Sequence, residues 1–283
     1  MECSQQAAKV AVVVLAVLTA VGVAETKKEY RFNVGARATV SIINQYGGIT
    51  VRPSTGNYVL VNATTYSDKV EVDQNQSGNR VDVLSHLLPG ATPENSRVEY
   101  EVLVPADASV TLQSTTGILH AEKLHGDVEV EGSNATVDVR EISSSHVHVK
   151  TMNGPITLTN IRDGHVEIDS VSGDVILASV TGPLVRVSST SGKIRYDGDF
   201  GYAGEYRFNS HSGDIDATIP EDASVDVKAQ SVHGSVQDDV PLQPKTHTAF
   251  LVKEGSSFAG TINKAASSVW LRTFSGKIHL KKR

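Results

Sequence analysis

The side chains best able to do chemistry are histidines and carboxylates set one repeat apart. His146 and His165 are 19 residues apart, and His148 and Glu167 share the same step. If the chain folds in turns of that length, the four meet on one outer face, where imidazole and carboxylate are competent ligands for a divalent ion. The column through His148 reads Glu129, His148, Glu167, Arg186, Arg207, Asp226, a mixed-charge ladder of the kind a solvated sheet face carries, and that reading is favoured over a metal site. Gly-Asp pairs recur at Gly126-Asp127, Gly173-Asp174 and Gly213-Asp214, but calcium-binding repeats need several glycines per turn and only one is present here. A third candidate is the loop Tyr196-Asp197-Gly198-Asp199-Phe200-Gly201-Tyr202, whose Phe200 and Tyr202 could contact a glycan or a partner protein or fold back over the core.

Enzymatic signatures are missing. Neither His-Glu-x-x-His nor Gly-x-Ser-x-Gly occurs despite ten histidines, and the acidic residues scatter instead of pairing on one face. The single cysteine, Cys3, removes disulfide frameworks, thiolate zinc sites and cysteine nucleophiles together. With 26 basic and 32 acidic residues and 5% aromatics, the chain lacks the charge and the stacking platforms of a nucleic-acid binder. No catalytic residue, metal or cofactor is expected.

What must position these side chains is a repeat. Glycine followed two residues later by an aliphatic recurs at Gly154/Ile156, Gly173/Val175, Gly192/Ile194, Gly213/Ile215, Gly234/Val236, Gly260/Ile262 and Gly276/Ile278. A second series, Val128-Val130, Val147-Val149, Val166-Ile168, Val185-Val187, Tyr206-Phe208 and Val225-Val227, keeps the same 19-residue step and the same two-residue expansion near 200. Alternation at period 2 within each run sends two side chains per strand inward. The expected fold is all-β: a parallel β-solenoid with two short strands per turn of about 19 residues. An antiparallel sandwich is the alternative. The inner column should read Val128, Val147, Val166, Val185, Tyr206, Val225, with glycine chosen for positive φ and for close approach between turns.

Three segments follow. Residues 1–24 read as a signal peptide, because Lys9 precedes an apolar run from Val10 to Val23 that is too short to span a bilayer and ends in small residues; a retained anchor is the alternative. Residues 25–105 form an irregular β-rich part that caps the stack, and residues 106–283 carry the repeats. Lys277, Lys281, Lys282 and Arg283 should place charge on the last exposed strand edge.

Asn44-Gln45-Tyr46-Gly47-Gly48-Ile49-Thr50-Val51, the run Val102-Leu103-Val104-Pro105-Ala106-Asp107-Ala108-Ser109-Val110, and steps such as Ser172-Gly173-Asp174-Val175 resemble the DUF4097 family of bacterial secreted and envelope proteins, labelled "putative adhesin". The resemblance spans roughly residues 40 to 280. It implies an envelope β-solenoid and no catalytic residues. Two functions fit: an adhesin-like surface protein, or a binding module of an envelope-sensing pathway. The partners expected are an envelope glycan or a surface protein, in the periplasm, on the cell surface or outside the cell. No nucleic acid is expected, and no membrane span remains after signal cleavage.

The leader reading has a direct check: N-terminal sequencing of protein from the envelope fraction should begin at Glu25, immediately after Ala24. A chain still starting at Met1 would refute it.

Overall fold

The computed structural model describes residues 25–244 and 255–283; the leader reading of residues 1–24 lies outside them. The described chain is all-β, a largely parallel sheet that curves into a near-closed, barrel-like shape with an added N-terminal β region. Parallel pairing follows the 19-residue step. His146–Thr151 lies beside His165–Ser170 with His146 opposite His165, and the next neighbour, Leu184–Ser189, places Val185 opposite Val166. The second series stacks likewise, with Ile156 opposite Val175 and Val175 opposite Ile194. Antiparallel pairs are confined, among the described residues, to the two ends of the stack.

Alternation determines what is buried. In His165–Ser170 the pattern runs exposed, buried, half-buried, buried, exposed, buried, so Val166 and Ile168 enter the core while His165 and Asp169 leave it. Tyr196, Tyr206 and Phe208 take core places where other rungs carry aliphatics, and the two-residue expansion lies in the loop beside them. The corners that follow the strands of the His146 series are closed by a hydroxyl and a glycine three residues apart: Ser170 Oγ donates to Gly173 O at 3.1 Å and Ser189 Oγ to Gly192 O at 3.2 Å. These buried hydroxyls are satisfied locally, so polar corners cost the core little.

The reason for glycine at these corners is narrower than expected. No positive φ is needed at Gly173, but a Cβ built there would lie 1.8 Å from Gly154 O in the rung below. Close backbone approach alone selects glycine. Positive φ operates instead at Gly47, φ 111°, in the Asn44–Val51 motif, where a Cβ would lie 2.1 Å from Val98 O.

Both ends correct the sequence reading. The inner column does not run from Tyr206 to Val225: Tyr206 pairs with Val269, and Val269 pairs with Val227. Likewise Ile215 and Val236 both pair with Ile278. The last turn of the chain is thus inserted between the two turns that precede it in sequence. Gly260/Ile262 leaves the parallel series, because Ser257–Ile262 runs antiparallel to Val225–Ser231. The C-terminal charges do not guard an edge either. Lys281 Nζ lies 3.0 Å from Asp216 Oδ2, which also holds Lys193 Nζ at 2.9 Å, and Arg283 pairs with Asp197 and Asp199. Burial alone would raise the Asp216 carboxyl, yet hydrogen bonds from Lys193 and Lys281 outweigh it and hold the group below the usual carboxylate range.

The N-terminal end is built the same way. Thr39–Ile43 sits between Arg80–Leu87 and Ser109–Glu122, and Ile49–Pro53 between Val98–Val104 and Ser109–Glu122. Parallel stacking therefore begins within residues 25–105. The antiparallel strands Val70–Ser77, Tyr58–Thr65 and Thr26–Asn33 cover it from outside.

The inside-outside assignment is testable by melting. Val166→Asp should cost more than about 3 kcal/mol, since an unpaired carboxylate would enter an apolar column. His165→Asp, on the exposed side of the same strand, should change stability by less than about 0.5 kcal/mol. Similar melting shifts for the two would overturn the register.

Candidate functional site

Three outward columns cross the face made by the strands of the His146 series. The repeat brings His146 and His165 together with ring centroids 4.8 Å apart, edge to face. His146 Nδ1 is engaged at 3.2 Å by Asp127 Oδ1, which also accepts from the His146 backbone N–H at 2.9 Å. In the next column His148 stands opposite Glu167, with Glu129 Oε1 4.0 Å from Nδ1 and Asp169 Oδ2 3.9 Å from Nε2. These imidazoles and carboxylates meet across rungs, His146 with one carboxylate and His148 with two. Among the described residues they do not converge in a group of three or more on one point.

The mixed-charge ladder holds as far as Arg207 and then departs from the sequence order. Arg207 is followed by Trp270 and then Lys228, not by Asp226, because the inserted C-terminal strand supplies that rung. The aromatic loop also divides. Phe200 is half-buried, its ring 5.3 Å from Tyr196 and 4.8 Å from Tyr206, and it closes the core at that turn. Tyr206 Oη donates to Gly182 O at 3.0 Å and accepts from Gly201 N–H at 2.7 Å, which pins the loop. Burial pushes the Tyr196 and Tyr206 phenols up. Tyr202 is 92% exposed at the rim of an open cleft that also contains Asp222 and Arg283.

A groove that the sequence reading did not identify runs along the stack at the corner beside the third column. Its volume is about 570 Å³. One wall carries Glu131, Lys150, Asp169 and Ser188 on successive rungs; the other carries the exposed Met152 and Val171, followed by Thr190. Lys150 Nζ is 3.8 Å from Glu131 Oε1, so charge alternates along the wall. Asn44 fixes the far end: its amide donates to Val98 O at 2.8 Å and its Oδ1 accepts from Ser85 Oγ at 2.8 Å. The signal was present in the sequence, since Ser133, Met152, Val171 and Thr190 are spaced by 19, and two of them are aliphatics at a turn where water-facing residues belong.

The architecture and this groove define a class: an all-β parallel stack presenting an elongated polar channel with an apolar lip. Within that class, the chain belongs to the Toastrack DUF4097 family, whose model matches residues 38–281. Among solved structures it is similar to a "putative cell adhesion protein" from Clostridium sporogenes, at 13% identity over 91% of this chain and 100% of that one, TM-score 0.30. A "putative adhesin" from Bacteroides fragilis is 13% identical over 90% of this chain and 97% of that one, TM-score 0.43. Another from Parabacteroides merdae is 11% identical over 91% and 96%, TM-score 0.29. No curated protein matches the chain.

The two loop aromatics should separate by stability. Phe200→Ala should lower it by about 1–2 kcal/mol through lost packing on Tyr196 and Tyr206. Tyr202→Ala should leave the melting temperature unchanged, and equal losses for both would contradict the division of the loop.

Proposed function

We propose that this protein is an exported, non-catalytic binding module of the cell envelope or surface, adhesin-like, in which a β-solenoid of two strands per turn holds an extended ligand along its corner groove. The observation that carries this reading is the lining. Equivalent positions on successive rungs hold Glu131, Lys150, Asp169 and Ser188, each a different chemistry, beside the apolar Met152 and Val171. A spacer needs only solubility at such positions. A groove that reads a ligand needs a particular order of charge, hydrogen bonding and apolar contact. Export is supported by the apolar run Val10–Val23 and its small-residue end. The partner is an envelope glycan or a surface protein, and no cofactor takes part.

A sensing role in an envelope pathway is the second reading. It is favoured by the interleaved ends, which fix the stack as one closed unit instead of a fibre of variable length.

Filling the groove tests the proposal. Val171→Arg places a charge on the exposed lip, so retention of the purified protein on sedimented envelope material should fall by about tenfold or more while the melting temperature holds. Undiminished retention would remove the groove from the function.

A further inference from the structure

The strand Ser267–Thr273 and the residue after it present an unusual outer face. Val269, Leu271 and Thr273 point into the core, leaving Trp270, Arg272 and Phe274 outward at alternate positions. Trp270 is 47% and Phe274 44% exposed, and Trp270 is the sole tryptophan of the chain. The rungs on either side add cations. Arg207 lies 5.9 Å and Lys228 Nζ 4.5 Å from the indole centroid, and Arg186 continues the column beyond Arg207. Arg272 makes no ion pair with any described residue in the structure. Phe274 is stacked by His211 at 5.0 Å and met edge-on by His233 at 4.7 Å.

This strip contrasts with its surroundings. The chain as a whole carries a charge of −6, and Glu129, Glu131, Glu167 and Asp169 lie on the earlier rungs of the same face. Cations and aromatics thus occupy the columns through Trp270, Arg272 and Phe274 on the later rungs, while the acids there, Glu205 and Asp226, are confined to the column through Ser268, where Glu205 pairs with Arg207. Half-exposed indole and phenyl rings gain from an apolar cover, and guanidinium or ammonium groups beside them gain from anions. A ligand meeting both needs along one line must alternate apolar ring faces with negative groups.

We propose that Arg207, Trp270, Lys228, Arg272 and Phe274 form a binding site for an acidic polysaccharide, a sugar chain bearing carboxylates. The C–H faces of its rings lie against the exposed edges of Trp270 and Phe274, its carboxylates meet Lys228 and Arg272, and Arg207, paired with Glu205, supports the indole from the neighbouring rung. The inference rests on the reading of the protein as a binding module, but its residues lie outside the groove lining, so each can fail without the other.

Trp270 supplies the probe, because all tryptophan emission from the protein arises at the site. Titration of the purified full chain with polygalacturonate should shift or quench that emission saturably, with affinity falling as salt rises. Dextran should do neither. Arg272→Gln and Lys228→Gln, both at exposed positions, should each weaken binding about tenfold without a change in melting temperature, and Val171→Arg should bind as the wild type does. The proposal is overturned if polygalacturonate leaves the emission unchanged, if dextran binds equally, or if the two charge variants bind undiminished. Polyphosphate binding as tightly would show that the strip reads charge without sugar, and tighter binding of single-stranded DNA would make it a nucleic-acid surface; either result also overturns it.

Discussion

At the corners of the stack, a backbone carbonyl of one rung points directly at the Cα of a glycine in the next. A Cβ on Gly192 would lie 1.9 Å from Gly173 O, and one on Gly173 would lie 1.8 Å from Gly154 O. Parallel strands spaced at about 4.8 Å can keep that spacing around a bend only if the side chain at the tightest point is a hydrogen atom. The neighbouring serine or threonine then caps the glycine carbonyl from within, as Thr151 does for Gly154 at 3.2 Å. With corners fixed, the strands leaving them are in register. Once they are in register, valine falls on valine in the core and each outward position falls on its equivalent one turn away.

A stack of parallel strands leaves a raw edge at each end, and this protein treats both ends alike. The first turn is placed one rung inward from the N-terminal edge, and the last turn one rung inward from the C-terminal edge. Each terminal segment thus gains strand partners on two sides in place of one. Antiparallel strands then lie across what remains, Val70–Ser77 against Arg80–Leu87 at one end and Ser257–Ile262 against Val225–Ser231 at the other. Ion pairs from Lys281 and Arg283 to Asp216, Asp197 and Asp199 hold the inserted C-terminal strand from the outside. The arrangement closes the unit and brings residues more than 60 positions apart, such as Arg207 and Trp270, into contact.

Because the inward positions and the corners set the register from rung to rung, most outward positions are free to vary. The proposed binding surfaces lie at those positions. One face carries acids and histidines on its earlier rungs and, on its later ones, cations with aromatics beside a column holding Glu205 and Asp226, while the adjoining corner carries the groove with its lip of Met152 and Val171. The chemistry of the surface is thus written at positions that leave the core unaffected.

The sequence by itself determined the strand content, the register from Val128 to Tyr206, in steps of 19 residues and a last one of 21, and which side chains face inward, since these follow from alternation and step length within short stretches of chain. It also placed His146 over His165. It did not determine which turns become neighbours at the ends. The segment Ser267–Thr273 has the same alternation whether it follows Val225–Ser231 or slips in beneath it, so local pattern is blind to the choice. Nor could it separate Phe200 from Tyr202, two aromatics on one loop, of which only the first finds Tyr196 and Tyr206 to pack against. Tertiary structure settled both, because rung order and loop packing depend on contacts between distant segments, and it is that order which set Trp270 between Arg207 and Lys228.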